Sequence, residues 1–291
     1  MKAPQVSVII SNYNSSDLLN DALESVVSTE GVTFDVLVID DASTDGAFAL
    51  VDERFKKDVR ITFLQNKKNV GFSALNVALE MCQGTYLMML DADARVAPAT
   101  LSTLVGYMDA HPEAGAATAN LHNPDGSIQN YYRRHMTPMR GFYTTVLGRF
   151  IDKYFLELRH FKSYHYDDLD TTRDFVIEQS ATACLMLRRE ALGARILDPD
   201  FHVFIDVDLC RRIYDKGYKI YLVSEAYATH IKSVSFGKRE SSWRRREFYR
   251  TLMLYFRKHY PASVPLMWVV LWLDRGMRFC LRHVIGHEPI R

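Results

Sequence analysis

The first 120 residues alternate short Val/Ile-rich runs with longer stretches of helical period, and this alternation constrains the fold more than any other feature of the chain. The runs "VSVIIS" (6–11), "FDVLVID" (34–40), "VRITFL" (59–64) and "TYLMML" (85–90) are almost continuously apolar, the pattern of strands buried on both faces. Between them, residues 16–29, 46–56 and 71–82 carry the 3.6-residue period; in the last, Phe72, Leu75, Ala78, Leu79 and Cys82 share one face. The expected architecture is α/β, a Rossmann-like and mainly parallel sheet with helices on both faces. In such sheets ligands bind beyond the carboxyl ends of the strands.

Those ends carry polar residues: Asn12-Tyr13-Asn14 after the first run, Asp40-Asp41 after the second, Asn66 to Asn69 after the third and Asp91-Ala92-Asp93 after the fourth. One Asp after a strand is turn chemistry, but Asn or Asp at four strand ends exceeds what turns require. Asp91 and Asp93, one residue apart on a loop, suit a hard divalent cation such as Mg²⁺ or Mn²⁺, which prefers oxygen ligands and is held by carboxylates together with substrate phosphates. Taken alone, the pair reads equally as a solvated turn. Asp40 and Asp41 can bond a base or ribose, or cap the next turn with Ser43 and Thr44.

Further on, residues 121–173 lose the pattern in a Tyr-, His- and Arg-rich segment read as loops and short helices over the sheet edge. It returns at 175–192, a strand and then a helix start, and at 206–223, a helix stopped by Gly217 before another strand. No GxGxxG follows a strand, which argues against a dinucleotide-dependent oxidoreductase. A formal net charge of +1 offers no global reason to expect nucleic acid. Cys82, Cys184, Cys210 and Cys280 form no CxxC pair and read as buried hydrophobes in a reducing compartment. The N-terminus passes directly into a strand-like run, leaving no apolar signal core, so a cytoplasmic location is expected. No apolar run reaches the roughly 18–20 residues of a membrane span.

Taken together, "SVIISNYNSSDLL", "VLVIDDASTDGA", "NKKNVGFSALNVAL", "GTYLMMLDADARV", "ACLMLRREAL" and "FIDVDLCRRIYDKGYKI" resemble the family 2 glycosyltransferases of the GT-A fold, specifically their bacterial rhamnosyltransferase-like branch. The resemblance covers residues 6 to about 230. It implies an inverting, metal-dependent transfer of a sugar, rhamnose or similar, from a nucleotide-diphosphate donor to a glycan or polyprenyl-diphosphate-linked acceptor of the cell surface. Carried over, Asn12, Tyr13, Asn14, Asp40 and Asp41 hold the nucleoside, with Asp41 on the base. Asn69, Gly71 and Phe72 close over the ribose and diphosphate; the alternative there is a helix start with Gly71 as a turn. Asp91 and Asp93 match the metal motif, with Asp93 the direct ligand and His230 completing the coordination. Asp206 matches the general base that takes a proton from the acceptor hydroxyl.

Two places depart from the family pattern. Ile205 stands where the family carries a carboxylate before the base. Glu178, Gln179 and Thr182 replace the usual Asp-Trp-x-x-Gly near the acceptor pocket, which puts the acceptor in doubt and makes a degenerate binding scaffold the competing reading. Asp208 is expected to cap the helix starting there and to pair with Arg211 or Arg212. The expected division is a catalytic domain over 1–237 and a helical appendage over 238–291. In that appendage Arg244, Arg245, Arg246, Arg250, Arg257 and Lys258 oppose Phe248, Leu252, Tyr255 and Phe256, with the apolar run 264–273 behind. This reads as an interfacial anchor on the inner face of the cell membrane, against the alternatives of packing on the protein or a homodimer contact.

Overall fold

The computed structural model describes residues 3–46, 48–157, 159–166, 169–231 and 241–284. They form two compact units, one of residues 3–132, 169–199 and 205–231, the other of 133–166, 200–204 and 241–284. The expected boundary between 237 and 238 lies outside the described residues.

The first unit is built on strands β1 (Val6–Asn12), β2 (Phe34–Asp40), β3 (Ile61–Gln65), β4 (Tyr86–Asp91), β5 (Ala94–Val96), β6 (Ala114–His122), β7 (Phe175–Ile177), β8 (Cys184–Arg188) and β9 (Lys219–His230). They form one sheet in the order β3-β2-β1-β4-β8-β6-β9-β5, with β7 also on β9. The half β3-β2-β1-β4 is parallel throughout. Beyond it β8 runs antiparallel to β4 and β6, so the sheet is mixed where a mainly parallel one was expected. Helices α1 (Ser16–Val27), α2 (Phe48–Phe55), α3 (Ala78–Met81) and α4 (Thr100–Ala110) follow their strands. Val6, Val8 and Ile10 of β1 enter one core with Leu19, Leu23 and Val26 of α1 and Leu101 and Leu104 of α4. Ile9, Leu87 and Met89, pointing the other way, are as deeply buried. Continuous apolar runs are what a sheet covered on both faces requires.

Three local expectations change. Among the described residues β3 ends the sheet order as an edge strand, and it is only half-buried. The stretch 71–82 is mostly a 3₁₀ helix, Gly71–Val77, before α3 takes up the last turn. The Val70 and Gly71 N–H groups are drawn onto Asp41 and the Asn76 side chain exchanges two hydrogen bonds with the Leu197 backbone, so the segment is tied down at both ends and winds tightly. The run 175–192 holds two strands, β7 and β8, and a 3₁₀ turn over Arg189–Ala191. Three cysteines are buried as expected, but Cys280 is exposed.

The second unit is helical. Continuing the numbering past α5 (Pro138–Tyr143), α6 (Val146–Phe155) and α7 (Arg159–His165), with α8 (Ile205–Asp215) belonging to the first unit, its C-terminal helices are α9 (Ser241–His259) and α10 (Val264–Val284). Thr137 and Thr145 cap α5 and α6 through their hydroxyls, which accept the Arg140 and Gly148 N–H groups. Leu252, Tyr255 and Phe256 of α9 are fully buried. A Cβ on Gly141 of α5 would lie 2.6 Å from the Phe256 ring, so α5 needs glycine there to approach. The apolar side of α9, expected at a membrane, is thus covered by protein. The exposed apolar residues lie instead on α10, at Leu266, Trp268, Val269, Trp272, Leu273 and Phe279.

Candidate active site

The parallel register sets the strand ends side by side. Asn12 faces Asp40 across β1 and β2, Asp40 faces Gln65 across β2 and β3, and Ser11 faces Asp91 across β1 and β4. Asn12 Nδ2 donates to Asp40 Oδ1 at 2.9 Å, and Gln65 Nε2 to Asp40 Oδ2 at 3.1 Å. The Ser43 N–H and hydroxyl also donate to Asp40, at 3.1 and 2.5 Å, so this fully buried carboxylate organises the turn after β2. Asn14 joins through its N–H to the Ser43 hydroxyl and its Oδ1 from the Thr44 N–H.

Asp41 is committed elsewhere. Its carboxylate accepts the Val70 N–H at 3.0 Å, the Gly71 N–H at 2.7 Å and Asn66 Nδ2 at 2.9 Å, while Asn69 Nδ2 donates to its backbone carbonyl at 3.3 Å. At 4% exposure it meets the loop, not solvent, and it fastens the 66–71 loop over this edge. Gly71 sits at φ +67°, where only glycine is unstrained, which lets its N–H turn inward. Tyr13 and Phe72 are each 41% exposed, apolar surfaces beside this polar row.

The metal-motif residues converge. Asp91 ends β4 and Asp93 precedes β5, whose pairing with β9 sets Ala94 opposite His230; the Ile231 N–H also donates to the Asp93 carbonyl at 2.9 Å. His230 is the last residue of a 12-residue strand. Its Nε2 lies 3.3 Å from Asp93 Oδ1 and 3.9 Å from Asp91 Oδ2. One ligand atom from each residue falls within 4.8 Å of the others. Burial first, then the Asp93 charge, push the Asp91 carboxyl up to about 6; Asp206 adds to the rise and His230 opposes it. Since 35% of the Asp91 side chain still reaches solvent, like-charge repulsion is the part that persists. Two oxygens and an imidazole nitrogen around a surplus of negative charge are a donor set that fits Mn²⁺ or Mg²⁺.

Asp206, in the first turn of α8, is close enough to Asp91 to be felt electrostatically. Gln179 Nε2 donates to its Oδ2 at 3.3 Å, so a residue that departs from the family pattern holds the Asp206 carboxylate. Asp208 does not cap: α8 starts at Ile205, and Asp208 is buried inside it, paired with Arg212 at 2.8 Å. One residue here escaped sequence reasoning. Gln129 is buried against His230, its Oε1 3.1 Å from Nδ1 and its Nε2 donating to the His230 carbonyl at 2.5 Å and to Asn123 Oδ1 at 2.6 Å. A lone Gln in an irregular segment carries no signal, because its meaning comes from a strand 101 residues away.

The sequence model described as glycosyl transferase family 2 matches residues 7–193, well over half of the chain. The chain belongs to that family. A succinoglycan biosynthesis protein of Rhizobium meliloti is 36% identical over 118 residues, 40% of this chain and 33% of that protein. A crystal structure of TarS from S. aureus in complex with UDP-GlcNAc matches with a TM-score of 0.58 at 20% identity, over 86% of this chain and 65% of that one. A mannosyltransferase from Pyrobaculum calidifontis in complex with GDP-Man and Mn²⁺ matches at 0.57 and 18% identity, over 89% and 64%. These likenesses bear out the GT-A fold. The match spans about a third of the length of the curated family 2 relatives.

Proposed function

We propose that this family 2 chain is a metal-dependent, inverting glycosyltransferase that moves a sugar from a nucleotide-diphosphate donor onto a glycan precursor of the cell envelope. The observation that carries the proposal is the convergence of Asp91, Asp93 and His230 from two strands, with Asp206 beside them. The polar row Asn12–Asp40 and the loop held by Asp41 form the wall for the nucleoside; Tyr13 and Phe72 are its apolar faces. Asp91, Asp93 and His230 would hold the cation. A bound divalent ion supplies Lewis-acid stabilisation of charge on the departing diphosphate.

The rest is done by side chains. Asp206 takes the acceptor hydroxyl proton as the oxygen bonds to the anomeric carbon; the bond from that carbon to the diphosphate oxygen breaks, and the electron pair leaves with the nucleotide. Gln179 donates to one oxygen of the Asp206 carboxylate and so holds it in place. Ile205 is 9% exposed, so the substitution fills core where a second carboxylate would have needed a partner. The exposed Trp268 and Trp272 of α10 support contact with a membrane surface and hence a lipid-linked acceptor. Among the described residues no helix is long and apolar enough to cross a membrane.

The test is thermal stabilisation by UDP, dTDP, GDP and CDP with and without Mn²⁺, on wild type and Asp93→Ala. Bound ligand raises apparent stability with concentration over Kd. One nucleotide that stabilises only with Mn²⁺, and not in Asp93→Ala, is the expected result. No shift by any nucleotide at millimolar concentration would sink the proposal.

A further inference from the structure

The second unit contains a cavity of about 180 Å³, several water volumes, lined by residues of α6, α9 and α10 and sharing no residue with the carboxylate cluster. Three guanidinium groups face it, from Arg149, Arg245 and Arg278, against one carboxylate, Asp274. Asp274 is buried and both its oxygens are engaged: Oδ1 accepts the Val146 N–H at 2.5 Å, and Oδ2 accepts Arg278 Nε at 2.8 Å and the Tyr249 hydroxyl. It therefore serves as the cavity's scaffold and pairs with one of the three guanidinium groups, that of Arg278. Arg149 is an exposed residue overall, yet desolvation of its guanidinium and then the like charge of Arg278 lower its pKa from the ordinary value. Cations gathered against their own repulsion, in a recess large enough for an oxyanion, are an arrangement that an anion stabilises.

We propose that this cavity binds a phosphate or diphosphate group, held by Arg149 and Arg245 in front of the Arg278–Asp274–Tyr249 scaffold. Guanidinium forks match the oxygens of a phosphate in pairs, and three of them suit a polyanion better than a carboxylate. The group can arrive on a lipid or in free solution. α10, which contributes Arg278, also exposes Trp272 and Phe279, so a phosphate carried on a lipid would find its apolar part accommodated on the same helix.

The probe is inorganic pyrophosphate, titrated by calorimetry into the full chain in EDTA, so that no cation-dependent binding contributes. Saturable binding is expected in wild type and equally in Asp93→Asn. In Arg149→Gln/Arg245→Gln it is expected to weaken by at least about tenfold, the loss of a charge-assisted hydrogen bond or more. Both replaced residues are exposed, and an unchanged circular dichroism spectrum certifies the fold. Arg149→Lys/Arg245→Lys should recover part of the affinity. Vesicles containing phosphatidic acid distinguish the source: binding that pyrophosphate competes away assigns the site to a lipid-borne phosphate, and pyrophosphate binding without vesicle binding assigns it to a soluble one. No pyrophosphate binding by wild type, or binding that the double Gln variant retains, overturns the inference. Loss in Asp93→Asn alone would place the anion at the carboxylate cluster and also overturn it.

Discussion

Replacing Gln129 with Leu tests how the proposed cation site is held. The His230 carbonyl is unambiguously an acceptor, so the Gln129 amide nitrogen faces it and the amide oxygen faces the ring. Nδ1 then carries the proton, and Nε2 presents its lone pair to Asp91 and Asp93. Leu keeps most of the volume but removes three contacts. Asn123 is half-buried and can reach water, whereas the His230 carbonyl is left buried without this partner, at a cost of about 1–3 kcal/mol. The ring can escape its share by moving the proton to Nε2, but that tautomer cannot coordinate through Nε2. Partners of this kind are worth about 10–100-fold in metal affinity. Mn²⁺ affinity, read by electron paramagnetic resonance, should therefore fall by that factor, alongside a lower urea midpoint. A variant whose urea midpoint drops while its Mn²⁺ affinity stays within about twofold of wild type would refute the tautomer argument.

Four further outcomes follow from the same structure. Asp206→Asn should lower kcat by about 10²–10⁴-fold while nucleotide binding, measured by thermal shift, is preserved. Gly84→Ala should destabilise by about 1–3 kcal/mol or more in urea, because its Cβ would meet the Ser7 backbone nitrogen at 2.4 Å, a contact no rotamer change relieves. On the helical unit, Leu252→Ala should cost about 2–5 kcal/mol without altering vesicle binding, since Leu252 is wholly inside. Trp272→Ser should do the reverse, weakening vesicle binding while stability stays within about 0.5 kcal/mol, since Trp272 is 70% exposed.

The parts of the fold that were legible were those whose signal is local. Three of the four early strands lie within a residue or so of their apolar runs, because a strand covered on both faces leaves no room for polar residues. β3 reads as buried because its composition is that of a central strand, and only its place at the end of the sheet order makes it an edge among the described residues. The 3₁₀ winding at 71–77 is hidden for a similar reason: the apolar positions keep a helical period, and the constraint comes from Asp41 and Leu197. The basic and aromatic faces of α9 were visible, but amphipathic pattern does not say whether lipid or protein covers the apolar side.

The sequence by itself determined the α/β alternation, the strand-end carboxylates and the family, because each rests on residues close together in the chain. It also supplied the residue types of the cation site. Tertiary structure decided that Asp93 and His230 meet, through an antiparallel pairing of β5 with β9 across some 130 residues, that Gln129 fixes the imidazole, and that Asp41 holds a loop instead of facing solvent. It also decided that the apolar side of α9 is buried while exposed apolar residues lie on α10. These are long-range facts: which side chain reaches which is set by sheet order and helix packing, and no window of sequence contains both partners.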